Sequence, residues 1–80
     1  MPHKPKTMKL TIEKQFPKLE VVHQIELSTK MEAMHHITVW IANNNIKVDF
    51  LDVVEIADDI EILSGSILHT DDDAYIIHIN

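Results

Sequence analysis

The chain contains no cysteine. Disulfides, thiolate metal sites and cysteine nucleophiles are therefore excluded, and nothing covalent reinforces the fold. It also contains no arginine, so its seven positive side chains are all lysine. Gly65 is its single glycine. That excludes glycine-rich phosphate-binding loops and leaves no Gly-x-Ser-x-Gly elbow. With no nucleophile motif, and with little room in a short chain for a water-excluding pocket, the expectation is a protein that is not an enzyme. No apolar run approaches the roughly 20 residues of a membrane span. The segment Met1 to Lys9 is polar and basic with no apolar stretch after it, so a cytoplasmic protein is expected.

At 80 residues the chain is one small domain. Such a chain buries roughly 60–65% of the surface its unfolded form exposes, so its stability is marginal unless something binds the folded state. Homodimerisation is therefore expected. Hydrophobic residues make up 45%, which suits a globular core and not a disordered acidic tail. Twelve isoleucines favour strands, because their stiff χ1 suits a pleated surface.

Residues 1–6 hold two prolines and no apolar period, and read as a flexible basic arm ahead of a single domain over 7–80. Met8, Leu10 and Ile12 alternate with polar residues, as do Leu19, Val21, His23, Ile25 and Leu27. The two runs read as a hairpin broken at Phe16-Pro17-Lys18. Thr29 with Glu32 three residues on forms a capping box and predicts a helix over about 30–43. Its apolar stripe is Met31, Met34, Ile37, Thr38 and Ile41, and Asn43–Asn45 ends it. The alternation of Ile37, Val39 and Ile41 allows a strand over 36–42 instead; the cap favours the helix. Residues 46–54 alternate and read as a strand. Ile60, Ile62 and Leu63 begin another, which turns at Ser64-Gly65 and returns over 66–69. Asp71–Asp73 is a further turn, and Ala74–Ile79 is a closing strand. That strand is apolar on both faces, so it is central or covered by a second subunit. The expected fold is α+β, in the order β-β-α-β-β-β, with one helix on a mainly antiparallel sheet. Trp40 lies off the helix stripe and is assigned to the core, with an interface anchor as the alternative.

Charge is segregated along the chain. Residues 1–30 carry six lysines against three acids, a net +3. Residues 31–80 carry one lysine against ten acids, a net −9; together they give −6. Such a field attracts basic proteins and repels nucleic acid and anionic membranes. The candidate partner-binding residues are Asp49, Asp52, Glu55, Asp58, Asp59, Glu61, Asp71, Asp72 and Asp73, at strand ends and loops. A patch of this kind imitates duplex phosphates before a DNA-binding protein; the plainer alternative is a solubilising surface. Protonating all six histidines would bring the charge to zero and weaken attraction to a basic partner.

No metal or other cofactor is expected. His69 beside Asp71–Asp73 lacks the alternating acids, glycine and closing glutamate of a calcium loop. His35 and His36 are adjacent and diverge on a helix, and His23, His69 and His78 form a zinc site only if the fold makes them converge, which the sequence does not show.

A small chain without arginine or cysteine, with a basic leader and the acids Asp49–Glu61 and Asp71–Asp73 set apart, resembles the host-takeover proteins of bacteriophages. It is most similar in type to the acidic DNA mimics that block bacterial DNA-binding proteins, among them the Bacillus-phage inhibitors of the nucleoid protein HU. The resemblance implies a homodimer in the host bacterial cytoplasm whose carboxylates occupy the DNA-binding surface of a basic target. It implies no direct nucleic-acid binding. The alternative is an interaction module or small assembly subunit that works by hydrophobic contact.

Overall fold

The computed structural model describes residues 7–80, and the expected arm at 1–6 lies outside them. Its elements are β1 (Met8–Lys14), β2 (Glu20–Leu27), α1 (Glu32–Asn43), α2 (Phe50–Leu63), β3 (Gly65–His69) and β4 (Ala74–Ile79). The four strands form one antiparallel sheet in the order β2-β1-β4-β3. The α+β class holds, with a second helix where a third strand was expected.

The first and last strands meet at the centre of the sheet. Leu10 stands opposite Ile79 and Ile12 opposite Ile77. All four are buried, and on the same face Leu27 and Leu68 extend the apolar surface to the two edge strands. Both helices lie against this face. Ala33, Ile37, Trp40 and Ile41 come down from α1, and Ile56 and Ile60 from α2. The other face carries Thr11, Glu13, Gln24, Ile67, Ile76 and His78, none of which joins the core. The apolar character of residues 74–77 follows from β4 being a central strand. The β1–β2 register shifts between Ile12 and Glu13 of β1, which leaves Val22 of β2 as an extra residue and brings Val21 opposite Glu13. Val21 and Val22 both stay exposed.

Helix α1 forms where the sequence places it, but its start differs. No side chain caps it, and Glu32 accepts from the amide of Ser28 at 3.1 Å instead of pairing with Thr29. Met31 therefore stands ahead of the helix at 90% exposure, and the buried stripe runs Ala33–Ile37–Trp40–Ile41. Trp40 is a core residue, packed edge-on to Tyr75 with ring centroids 5.0 Å apart. At the C-terminus the Asn44 amide donates to the Trp40 carbonyl at 2.8 Å, and Asn45 takes a left-handed φ of 54°. Both are ordinary duties of asparagine at a helix end.

Residues 50–63 correct the expected strands at 46–54 and 60–63. The capping box lies here: the Asp52 amide donates to Asp49 Oδ1 at 2.9 Å, and the Asp49 amide donates to Asp52 Oδ2 at 3.2 Å. Val53, Ile56, Ala57 and Ile60 then recur at i, i+3, i+4 and i+7, the helical period. Ser64 is the left-handed cap of α2 (φ 57°), not part of a hairpin turn, and Gly65 opens β3. At this same end of α2 the Lys30 ammonium donates to the Glu61 carbonyl at 2.9 Å. It supplies the positive charge that the last turn of α2 lacks.

Two neighbouring substitutions should have opposite effects. Ser64→Gly removes the steric cost of a left-handed residue and should raise stability by about 0.5–1 kcal/mol. Gly65→Ala should lower it by about 1–3 kcal/mol, because a Cβ there would lie 3.2 Å from the Ile77 carbonyl oxygen on β4. Urea denaturation of the two variants measures both.

Candidate partner-binding surface

All nine candidate acids sit on α2, at its cap or at the β3–β4 turn beside it, and seven of them share one edge. With 3.6 residues per turn, Asp52 and Asp59 fall on the side of α2 next to its buried face, and Glu55 lies at the border between that side and the outward one. That side overlooks edge strand β3: Glu55 and Asp59 line one groove with Ser66, Ile67 and His69. The β3–β4 turn extends the acidic edge past the start of α2. Asp52, Asp71, Asp72 and Asp73 line one shallow cleft of about 720 Å³ with Lys47, His69 and Tyr75. The cap residue Asp49 belongs to the same end of the helix.

The remaining two acids point elsewhere. Asp58 faces outward from the sheet, and Glu61 faces the groove shared with Lys30, Met31 and Met34. The nine carboxylates therefore do not form one patch. They form an edge of seven and two outliers.

Several of the edge acids also hold the fold together. Asp49 and Asp52 are the capping box of α2. Asp59 accepts from the buried Ser66 hydroxyl at 2.8 Å and ties α2 to β3. Asp73 pairs with Lys14 at 3.3 Å, and its backbone closes the turn on Thr70 through bonds of 2.9–3.2 Å. Among the described residues, no side-chain hydrogen bond or ion pair engages the carboxylates of Glu55, Asp58, Glu61, Asp71 or Asp72. These five are open to a partner.

The segregation of charge along the chain is only partly a segregation in space. Lys14 reaches Asp73, Lys30 reaches the end of α2, and Lys47 shares the acidic cleft. The fold brings Lys14 and Lys30 from the basic half onto the acidic half, which already holds Lys47.

The histidines are dispersed. His23 stands opposite Ile12 on the core face of the edge strand β2, in a groove with His36. His78 lies on the uncovered face, 2.9 Å from Glu13. His69 ends β3. Among the described residues no three histidine or carboxylate side chains converge as a metal-binding group. No helix among them is long and apolar enough to cross a membrane.

One surface escapes a reading by charge alone. Phe50, Leu51, Ile62 and Leu63 are each more than 70% exposed, all on α2. Residues 50–51 and 62–63 look like strand interior in the sequence, which hides their outward direction. No protein-family profile, curated protein or solved structure matches this chain.

The division between structural and open carboxylates can be measured. Glu55→Gln, Asp58→Asn and Glu61→Gln should each change unfolding free energy by less than about 0.5 kcal/mol. Asp49→Ala should cost about 1 kcal/mol through the lost cap. Equal losses in the two groups by urea denaturation would show that the division is wrong.

Proposed function

We propose that this chain is a non-enzymatic inhibitor of the DNA-mimic type. It offers its acidic edge to a basic bacterial DNA-binding protein of the nucleoid HU kind and competes with DNA. The observation that carries the proposal is the alignment of open and capping acids along α2 into the β3–β4 turn. At a rise of about 1.5 Å per residue, Asp52, Glu55 and Asp59 are spaced about 4.5 and 6 Å along the helix axis. These spacings are of the same order as, and wider than, the about 3.4 Å of axis between successive phosphates of one strand. Asp71 and Asp72 continue the line into the cleft shared with Asp52. A surface of this sign has no attraction for nucleic acid or anionic membrane. A cytoplasmic site of action, in the host if the chain is phage-encoded, belongs to the same proposal.

Homodimerisation is also part of it. The uncovered face of the sheet supports this, since Val21, Glu13, Ile76 and Ile67 stand side by side in register across all four strands. Val21 and Ile67 are both 53% exposed there. A second function is favoured by a different observation. The four apolar side chains exposed on α2 fit an interaction module or assembly subunit that works by hydrophobic contact, with the acids serving solubility.

Competition separates the two. A labelled duplex is bound to a purified HU-type protein and titrated with this chain. Mimicry predicts displacement of the duplex, weakened about tenfold or more between about 0.05 M and 0.3 M salt. The triple variant Glu55→Gln, Asp71→Asn, Asp72→Asn should lose displacement while keeping its fold. A complex that forms without displacing duplex, or that salt leaves unchanged, favours the hydrophobic module.

A further inference from the structure

We infer that the outward face of α2 is a docking face for a cationic amphipathic helix of another protein. The inference rests on the proposed function and names the shape and chemistry of the element that this chain grips.

The residues opposite the buried side of α2 follow from its period. Ile56 and Ile60 mark the core side. About half a turn away lie Leu51, Asp58 and Ile62; Glu55, which also borders the groove beside β3, completes the spacing i, i+4, i+7 and i+11 as one stripe. Leu51 is 74% and Ile62 77% exposed, and Val54 flanks the stripe. The stripe thus has an apolar group at each end, about 16 Å apart along the axis, and two carboxylates between them. Neither Glu55 nor Asp58 has a side-chain partner among the described residues. No lysine, arginine or histidine occurs anywhere in residues 50–63.

That arrangement selects its occupant by charge. A second copy is disfavoured. An antiparallel pair of α2 helices about a twofold axis brings Leu51 against Ile62, but it also brings Glu55 against Asp58 across the centre. No positive group of α2 stands there to relieve the repulsion. Nucleic acid and anionic lipid are repelled by the same two carboxylates. An isolated apolar helix would leave both carboxylates desolvated and unpaired. A helix with lysine or arginine between two apolar groups three turns apart satisfies all four positions of the stripe at once. Helix-in-groove recognition uses anchors at such spacings.

The test uses the full chain and two synthetic peptides of about 18 residues, equal in leucine and lysine content. One peptide is patterned as an amphipathic helix and the other is scrambled. Methyl NMR and calorimetry follow binding. The patterned peptide should shift the methyls of Leu51, Val54 and Ile62 saturably and bind about tenfold tighter than the scrambled one. The variant Leu51→Ser, Ile62→Ser should lose that advantage. Both positions are exposed, and circular dichroism confirms the fold. Glu55→Gln, Asp58→Asn should also weaken binding and should remove its salt dependence. Equal binding of both peptides, or shifts confined to the β3–β4 turn, would overturn the inference. So would concentration-dependent shifts of the same methyls in the free chain, which would mean a second copy occupies the face.

Failure of the proposed function would look different. If the patterned peptide binds α2 but the chain displaces no duplex, the DNA-mimic proposal falls and the docking face stands. If displacement occurs and Leu51→Ser, Ile62→Ser leaves it unchanged, the docking face falls alone.

Discussion

The pairing of β1 with β4 is the constraint on which the rest of this structure depends. It joins the first and last described strands, so the whole chain between them is one loop closed by antiparallel hydrogen bonds. The closure is long-range and entropically costly. It is offset on the core face by Leu10, Ile12, Ile77 and Ile79, all buried at the centre of the sheet. Polar contacts fasten it at both ends. The backbones of Lys9 and Asn80 exchange two hydrogen bonds at one end, and Lys14 meets Asp73 at the other. Between them Glu13 meets His78 on the uncovered face. Everything else is arranged by this pair: β2 and β3 are edges because β1 and β4 are the centre, and the helices cover the only face that is apolar across it.

The consequence for α2 is a helix with two masters. Its inner side completes the core with only Ile56 and Ile60 fully buried. Its outer side spends several large apolar residues on solvent, while thirteen buried apolar residues make up the core among the described residues. Exposed single hydrophobics are ordinary. Leu51 and Ile62 are different because they lie on one stripe with acids between them, and because the chain is so short of core residues. Each would stabilise the fold more from inside than it does from outside. That placement is the strongest sign that the surface of α2 is shaped by a contact beyond this chain.

Much of the fold was legible in the sequence where one period was unopposed. The β1–β2 hairpin, helix α1, the turn at Asp71–Asp73 and the central character of β4 follow from alternation, spacing and turn chemistry. Helix α2 was not legible, because a strand period over residues 46–50 runs directly into a helical period over residues 53–60. Ile46, Val48 and Phe50 alternate as a strand does, while Val53, Ile56, Ala57 and Ile60 repeat as a helix does. The deciding feature was Asp49 with Asp52, a capping box written with aspartate at the position where glutamate or glutamine is usual. Thr29 with Glu32 matched the pattern better, yet Glu32 bonds one residue further back, to Ser28. The acids of the candidate surface were legible as residues but not as a surface. Their grouping needed α2 to be a helix lying along β3, and of the lysines that temper them Lys14 and Lys30 arrive from far away in sequence.

That tempering bears on how such a surface could compete with DNA. A duplex carries condensed counterions, and their release drives much of the affinity of basic proteins for it. A surface with five open carboxylates among its nine candidate acids, and with Lys14 and Lys47 in its acidic edge, has no comparable reservoir. Exposed pairs across an interface contribute about 0–1 kcal/mol each and are screened by salt. Charge alone would bring such a chain to its target quickly but would not hold it there. Burial of exposed leucine and isoleucine, at roughly 1.5–3 kcal/mol for each side chain, supplies a term that DNA cannot match. Acids guide and orient; apolar groups between them hold. On these magnitudes a mimic built on this fold depends on the outward face of α2 as much as on its acidic edge.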